Sequence, residues 1–413
     1  MFDSLFTRQH VLARHRSGPC AESRARFLVH CSELGYPRIT LRKIAWVLQV
    51  FSQSMDFCRP GRVTQQEIEF AVDHRVRFNR RERKEDSRSS RRLFIYIAKA
   101  WLRFRGSLEE PRAPQEPFAH YIDDFAHFMC DQRGLSPVTI KNYREGIANF
   151  LASVWRPGIS LNAISIKDVD VYLKHQGNHG WGRASLHELA STLRVFFRYA
   201  EGQGWAIGVA AGIEAPRLYA QEGLPLGPTW EKVQEIIASF SDNNASDIRN
   251  RAIVLLLAIY GLRRGEVARL RLDDVDWIGE VLHVSRPKQR CAQQYPLVPT
   301  VGEAILRYLK EARPRCAHRE LFLSIEAPVR PLQPGGVSSI VRSRLKALGI
   351  QVPRRGAHCL RHACARHLLD AGFSLKEIGD HLGHRSATAT RAYVKVDLNG
   401  LRQVAEFELG SLL

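Results

Sequence analysis

Two stretches of this chain superpose without a gap. "CSELGYPRITLRKIAWVLQVF" (31–51) lies over "CDQRGLSPVTIKNYREGIANF" (130–150), so that Cys31, Gly35, Thr40 and Phe51 meet Cys130, Gly134, Thr139 and Phe150. Each copy has a glycine turn, a threonine, and then apolar residues at helical spacing. Further along, "VTQQEIEFAV" (63–72) lies over "ISIKDVDVYL" (164–173), and "AWLRF" (100–104) resembles "VFFRY" (195–199). The same segments in the same order at similar spacing mark a duplication. Two bundles of about four helices each are therefore expected before residue 210.

Helix starts are readable in the second copy. Ser136, Ser165 and Ser185 each precede a periodic stretch and are expected N-caps. The first copy contains "RVRFNRRERKEDSRSSRR" (75–92), with nine basic residues against three acidic. That run suits either a solvated face or an arm that touches phosphates. "EAPRLYAQEGLPLGPTW" (214–230) is rich in proline and glycine and reads as a linker.

The region after the linker has a different pattern. "TWEKVQEIIASF" predicts a helix capped by Thr229, and "DIRNRAIVLLLAIYGLRRGEVARLRLDDVDW" a buried helix, a glycine break and an amphipathic helix. "EVLHVSRPKQRCAQQYPLVP" alternates as a β-hairpin does, with Val281, Leu282 and Val284 on one arm and Tyr295 to Val298 on the other. Helices are expected again from about residue 301 to the end. The fold class is thus mostly α with a small antiparallel β-sheet. The expected domains are 1–110, an N-terminal helical unit; 115–210, a second helical unit; and 225–413.

The chain carries 61 Lys and Arg against 42 Asp and Glu, a formal charge of +19 over 413 residues. Such a surplus points to a polyanionic partner, and nucleic acid comes first. Eight cysteines with no C-x-x-C pair argue against a disulfide framework and for a reducing compartment. The opening "MFDSLFTRQHVLARHRSG" lacks a long apolar core, and the longest apolar run, "AIVLLLAIYGL" (252–262), is too short to span a bilayer. A cytoplasmic, non-membrane protein is expected.

"HCLRHACARH" (358–367) poses a choice. His358 and His362 are four apart, a spacing that zinc proteases use on a helix. His358 and Arg361 are three apart and suit a phosphate instead. Further polar residues of the third region decide it: Arg263 in "YGLRRGEVARL", Lys288 in the hairpin, His384 in "HLGHRS", and Tyr393 nine residues later in "ATATRAYVKV". Arginine forks match phosphate oxygens and stay charged, so they offset the charge of a pentacovalent transition state. A tyrosine hydroxyl is a competent nucleophile, and a lysine or histidine can protonate a leaving oxygen. The set is a metal-free kit for attacking a phosphodiester. Cys359 and Cys364 are then buried thiols behind a phosphate grip.

At these positions the third region resembles the catalytic domain of the tyrosine recombinases, the phage integrase family. That family shows a T-G-L-R-x-x-E-like box, a hairpin lysine, H-x-L-R-H, L-G-H, and a tyrosine nine residues past the last histidine. Here they read "YGLRRGE", Lys288, "HCLRH", "LGH" and Tyr393, over about 263–393. Residues 115–202, with "RGLSPVTIKNY" and "LRVFFRYAEGQG", resemble the family's SAM-like core-binding domain. The two resemblances cover roughly 300 of the 413 residues.

The resemblance implies roles. Arg263 and Arg361 clamp the scissile phosphate, Lys288 is the general acid toward the 5′-oxygen, His358 assists proton transfer, His384 bonds the phosphate, and Tyr393 attacks to give a 3′-phosphotyrosyl link. Glu266 orients Arg263. Neither metal nor cofactor is implied. Tyr260 stands where the family often has threonine or a small residue, and is expected to pack. No other lysine lies in the hairpin, and its basic neighbours Arg286 and Arg290 are poor proton donors because arginine stays charged.

The implied function is site-specific recombination or integration of double-stranded DNA, moving a mobile element. Four protomers are implied on two DNA sites, either as a homotetramer or with related recombinases. A monomeric relaxing enzyme of the topoisomerase IB type shares the chemistry. An architectural DNA-binding protein with an idle site is the other alternative. The tail "LRQVAEFELGSLL" has Leu401, Val404 and Phe407 at helical spacing, which suits docking on a neighbouring protomer or on its own domain. Residues 1–110 are expected to hold either extra DNA or a neighbouring protomer.

Overall fold

A computed structural model describes residues 1–55, 62–79, 88–110, 116–218, 227–286, 291–384 and 390. The chain forms two compact units, one of residues 1–110 with 223–413 and one of residues 111–222. The expected class, mostly helical with a small antiparallel sheet, is what the structure shows.

The first helical bundle comprises α1 (Phe2–Leu5), α2 (Gln9–Ser17), α3 (Ala21–Glu33), α4 (Arg38–Gln53), α5 (Gln65–Asn79) and α6 (Arg88–Arg105). The second comprises α7 (Ala119–Asp131), α8 (Pro137–Val154), α9 (Ile166–Asn178), α10 (Arg183–Gly202) and the short α11 (Val209–Gly212). Helices α3, α4, α5 and α6 pack in the pairs α3 with α4, α4 with α6, and α5 with α6. Helices α7, α8, α9 and α10 pack as α7 with α8, α8 with α10, and α9 with α10. Residues aligned in the sequence are buried in both bundles: Leu48 and Ile147, Phe51 and Phe150, Ile68 and Val169, Trp101 and Phe196.

The local chemistry of the starts is also shared. Glu67 accepts from the Thr64 amide at 2.8 Å, and Asp168 accepts from the Ser165 amide at 2.8 Å. In each case a carboxylate three residues on satisfies an otherwise orphaned donor at the helix start. Ser136 caps α8 by accepting from Thr139 N. The expectation for Ser185 fails: α10 begins at Arg183, with Gly182 extended at its N-cap. Apolar periodicity begins late in this helix, because its first turn is exposed.

The remaining elements are α12 (Trp230–Ala238), α13 (Ala245–Ile259), α14 (Arg264–Arg269), β1 (Val275–Asp276), β2 (Val281–Arg286), β3 (Cys291–Pro296), α15 (Pro299–Arg307), α16 (Pro334–Ala347), α17 (Ala357–Asp370) and α18 (Leu375–Leu382). The helical return after the hairpin is interrupted by irregular chain between Arg313 and Gln333. Helix α13 is apolar nearly all round and forms the centre of the core, with α12, α15, α16 and α17 around it. A helix of that kind must be surrounded to hide its apolar surface. The sheet has the order β1-β2-β3, all antiparallel, with Leu282 opposite Tyr295 and Arg286 opposite Cys291. The two-residue β1 was not expected, since so short a strand has no alternation to read.

The two sequence-distant parts of the first unit meet at one loop. Val329 N donates to Leu34 O at 3.0 Å, and the Val329 side chain lies against Gly35. Among the described residues no helix is long and apolar enough to cross a membrane.

Candidate active site

Helix α17 presents the H-x-L-R-H box. Cys359, Leu360, Ala363 and Cys364 point into the core, while His358 is exposed and His362 half-buried. Burial pushes the Cys364 thiol up to about 12, so it stays protonated and behaves as a small core group. Arg361 is on the buried side, 2% exposed. Its Nη1 donates to Gly261 O at 2.6 Å and its Nη2 to Leu382 O at 2.8 Å. Gly261 has a φ of +58°, and a Cβ there would stand 2.4 Å from Leu382 Cδ2. The glycine of the Y-G-L-R box is thus required by backbone conformation and by the neighbouring turn.

Arg263 is the N-cap of α14, just past the glycine break. Its Nη1 donates to Glu266 Oε1 at 2.7 Å, its Nη2 to Gly383 O at 3.1 Å, and its own amide to Glu266 Oε2 at 2.8 Å. Glu266 therefore fixes Arg263 twice, at the backbone and at the guanidinium. The Arg263 side chain keeps 40% exposure, whereas that of Glu266 has 4%. Arg263 and Arg361 thus converge on two successive carbonyls, Gly383 and Leu382, in the L-G-H turn.

His384 follows that turn, and its Nδ1 lies 2.7 Å from the hydroxyl of Thr390, which is buried. Burial first, then Arg361, Arg263 and Arg286, lower its pKa to about 4. It is neutral at pH 7, and a hydrogen bond donated by Thr390 would put the ring proton on Nε2. His358, although exposed on its outer side, is also lowered, by the protein packed around the rest of it first and then by Arg361, Arg354 and Arg263. His362 falls to about 4 for the same first reason, with His358 and Arg361 adding to it. Four of the six predicted site residues, Arg263, His358, Arg361 and His384, are therefore brought together from three separate segments into one cationic site. Lys288 and Tyr393 lie outside the described residues, as does the tail 401–413.

His358 and His362 stand edge to face with ring centroids 4.4 Å apart. Among the described residues no three His, Cys, Asp or Glu side chains gather as metal ligands would. Tyr260 packs as expected and does more: its hydroxyl donates to Pro296 O at 2.8 Å and accepts from Val298 N at 2.9 Å. It holds the end of the hairpin to the end of α13.

One residue escaped the sequence reading. Arg286 is 2% exposed, lies in the same strand phase as buried Leu282 and Val284, and reaches both Glu266 and the L-G-H turn. The parity of β2 was the signal for it, since inward residues alternate along a strand.

Comparison with known proteins gives the family. Residues 229–399 match the phage integrase family and residues 122–204 the phage integrase N-terminal SAM-like domain. A relative in Sinorhizobium fredii (strain NBRC 101917 / NGR234), named integrase/recombinase y4rA, is 36% identical over 74% of this chain and 76% of its own. Tyrosine recombinase XerD of Listeria monocytogenes serotype 4b (strain F2365) is 28% identical over 68% of this chain and 96% of its own. Among solved structures, XerH site-specific recombinase bound to palindromic difH substrate aligns with a TM-score of 0.55 at 18% identity, covering 72% of this chain and 98% of that one. A lambda integrase dimer bound to a COC′ core site aligns at 0.53 and 22%, covering 66% and 94%. The chain belongs to the phage integrase family. It is a tyrosine recombinase, a DNA-binding enzyme that breaks and rejoins DNA strands in site-specific recombination.

Proposed function

We propose that this recombinase moves a mobile element through a 3′-phosphotyrosyl intermediate, in the cytoplasm. In this reading Tyr393 Oη attacks the scissile phosphorus as its proton passes to His358, and the P–O5′ bond breaks. Arg263 and Arg361 offset the added charge on the non-bridging oxygens. Lys288 delivers a proton to the leaving 5′-oxygen, so a free 5′-hydroxyl results. His358 assists the proton transfers and His384 donates to the phosphate. Rejoining is the reverse attack by a 5′-hydroxyl, and the phosphotyrosine retains the bond energy.

The observation that carries this reading is the convergence of Arg263 and Arg361 on the carbonyls of Gly383 and Leu382, in the turn that leads to His384. A concentration of fixed cations and donors is what a doubly charged phosphorane needs. The mobile-element assignment draws support from the Tn1549 transposon integrase, a structure with a TM-score of 0.51. Four protomers on two DNA sites, a core-binding role for residues 115–210, and a duplicated bundle in 1–110 that holds extra DNA belong to the same proposal.

Covalent trapping tests it. The chain and its Tyr393→Phe variant are incubated with a library of nicked suicide duplexes, and SDS-resistant adducts are collected. An adduct with the unaltered chain alone identifies the nucleophile, and sequencing the captured DNA gives the site. Tight binding with no adduct across the library would overturn the reading. Deleting residues 1–110 is expected to remove specific binding while leaving Tyr393 chemistry, and an unchanged footprint would refute the role given to that bundle.

A further inference from the structure

The base of the β2–β3 hairpin is stitched to the L-G-H turn. Arg286, the last residue of β2, donates from Nη1 to Leu382 O at 2.7 Å and from Nη2 to the Tyr295 hydroxyl at 2.6 Å. Its Nε faces Glu266 Oε1 at 3.7 Å. From β3, Gln293 Nε2 donates to Asp380 O at 2.8 Å, and the Tyr295 hydroxyl donates to His381 O. Gly383 has a φ of +61°, and a Cβ there would stand 1.1 Å from Arg286 Nη1. The turn is thus built around this guanidinium, with no room for any side chain at 383.

Burying an arginine is costly unless its charge and donors are matched, and a surface arginine would have served solubility equally. Arg286 makes two hydrogen bonds and a longer ion pair with Glu266, its Nε making no hydrogen bond, and each partner belongs to a different part of the site. Glu266 also fixes Arg263. Leu382 O also receives Arg361. Tyr295 belongs to the opposite strand of the hairpin. Lys288 comes two residues later in the chain, a reach of at most about 7 Å. Where Arg286 is anchored therefore limits where that lysine can go.

We propose that Arg286 is a positioning residue for strand cleavage. It holds the hairpin against the Leu382–His384 turn, so that the proton donor and the phosphate-binding groups act on the same phosphate. The inference rests on the reading of Lys288 as the donor to the 5′-oxygen.

The test uses a duplex carrying the trapped site, with either oxygen or sulfur at the 5′-bridging position of the scissile phosphate. With oxygen, the P–O5′ bond breaks as Lys288 gives up a proton. With sulfur, the P–S bond breaks and a thiolate leaves without protonation, because a thiol is far more acidic than an alcohol. Single-turnover cleavage and DNA affinity are measured for the full chain and for Arg286→Met, Arg286→Lys, Tyr295→Phe and Lys288→Ala. Arg286→Met is expected to slow cleavage of the oxygen duplex by about 10²-fold, the low end of a general-acid contribution, with unchanged DNA affinity. On the sulfur duplex its rate should return to near that of the unaltered chain, as for Lys288→Ala. Arg286→Lys should retain part of the rate, and Tyr295→Phe should show a smaller loss with the same sulfur rescue, which covers the case of a misfolded Arg286→Met. If sulfur rescues Lys288→Ala but neither Arg286→Met nor Tyr295→Phe, Arg286 serves only the fold and the inference falls. Cleavage of the oxygen duplex at the unaltered rate by Arg286→Met would also overturn it. If sulfur does not rescue Lys288→Ala, the proton-donor reading itself has failed, and the inference with it.

Discussion

Replacing Glu266 by glutamine should destabilise the catalytic region strongly, although the side chain keeps its shape. The carboxylate is 4% exposed and lies 2.7 Å from Arg263 Nη1 and 3.7 Å from Arg286 Nε. Its second oxygen accepts from Arg263 N. A glutamine has one acceptor oxygen where the site uses two, and its amide would face a donor. Removing one partner of a buried ion pair costs about 3–5 kcal/mol, because the remaining charge is left uncompensated. Arg263 contributes less than that, since its side chain is 40% exposed and water can screen it. The Arg286 side chain is 1% exposed and receives no such relief. The expected loss is therefore about 3 kcal/mol, near the lower end of that range. For a domain of 150–250 residues this lowers the melting temperature by roughly 6–12 °C. Calorimetry of the full chain measures it, with hydrogen exchange at the amides of α13 identifying the transition of the catalytic region. A Glu266→Gln melting point within about 1 °C of the unaltered chain would refute the argument that this carboxylate holds two arginines.

Further expectations follow from the same geometry. Gly383→Ala should abolish strand cleavage while leaving DNA affinity within a few-fold, because its Cβ would displace Arg286; normal cleavage would show that the turn has room. Tyr260→Phe should cost about 1–3 kcal/mol by stranding Pro296 O and Val298 N, read as a lower urea midpoint. Acid should destabilise the fold through three histidines whose pKa values are lowered to about 4: His15, His362 and His384. Between about pH 6.5 and 4 the unfolded chain binds protons at these positions and the folded chain does not, so stability falls as pH falls through that window. Melting temperatures that stay level from pH 7 to 4.5 would contradict this. DNA affinity should drop by about 10³–10⁵ between 50 and 200 mM salt if six to ten phosphates are contacted, and a shallow dependence would contradict the backbone-dominated binding expected from the +19 charge.

Much of the architecture was local and therefore written in the order of residues. The starts at Ser136 and Ser165 depend on a hydroxyl or a carboxylate within three residues, and each lies where the pattern placed it. The alternation of Val281, Leu282 and Val284 and the continuous apolar run of α13 identified the hairpin and the buried helix for the same reason. The boxes around Arg263, His358, Arg361 and His384 were also legible, because their spacing is a property of the chain. Ser185 misled because Gly182 starts the helix earlier, and an exposed first turn has no apolar residues to announce it.

What the sequence could not determine was how segments far apart in the chain share one site. Arg286 reads as one more basic residue beside Lys288. Strand parity places it on the inward face, but only packing gives its partners, Glu266, Tyr295 and Leu382, 20, 9 and 96 positions away. Likewise, His384 owes a pKa near 4 to burial and to Arg361, Arg263 and Arg286, which come from other elements. Desolvation and through-space charge depend on tertiary neighbours, and no local pattern encodes them.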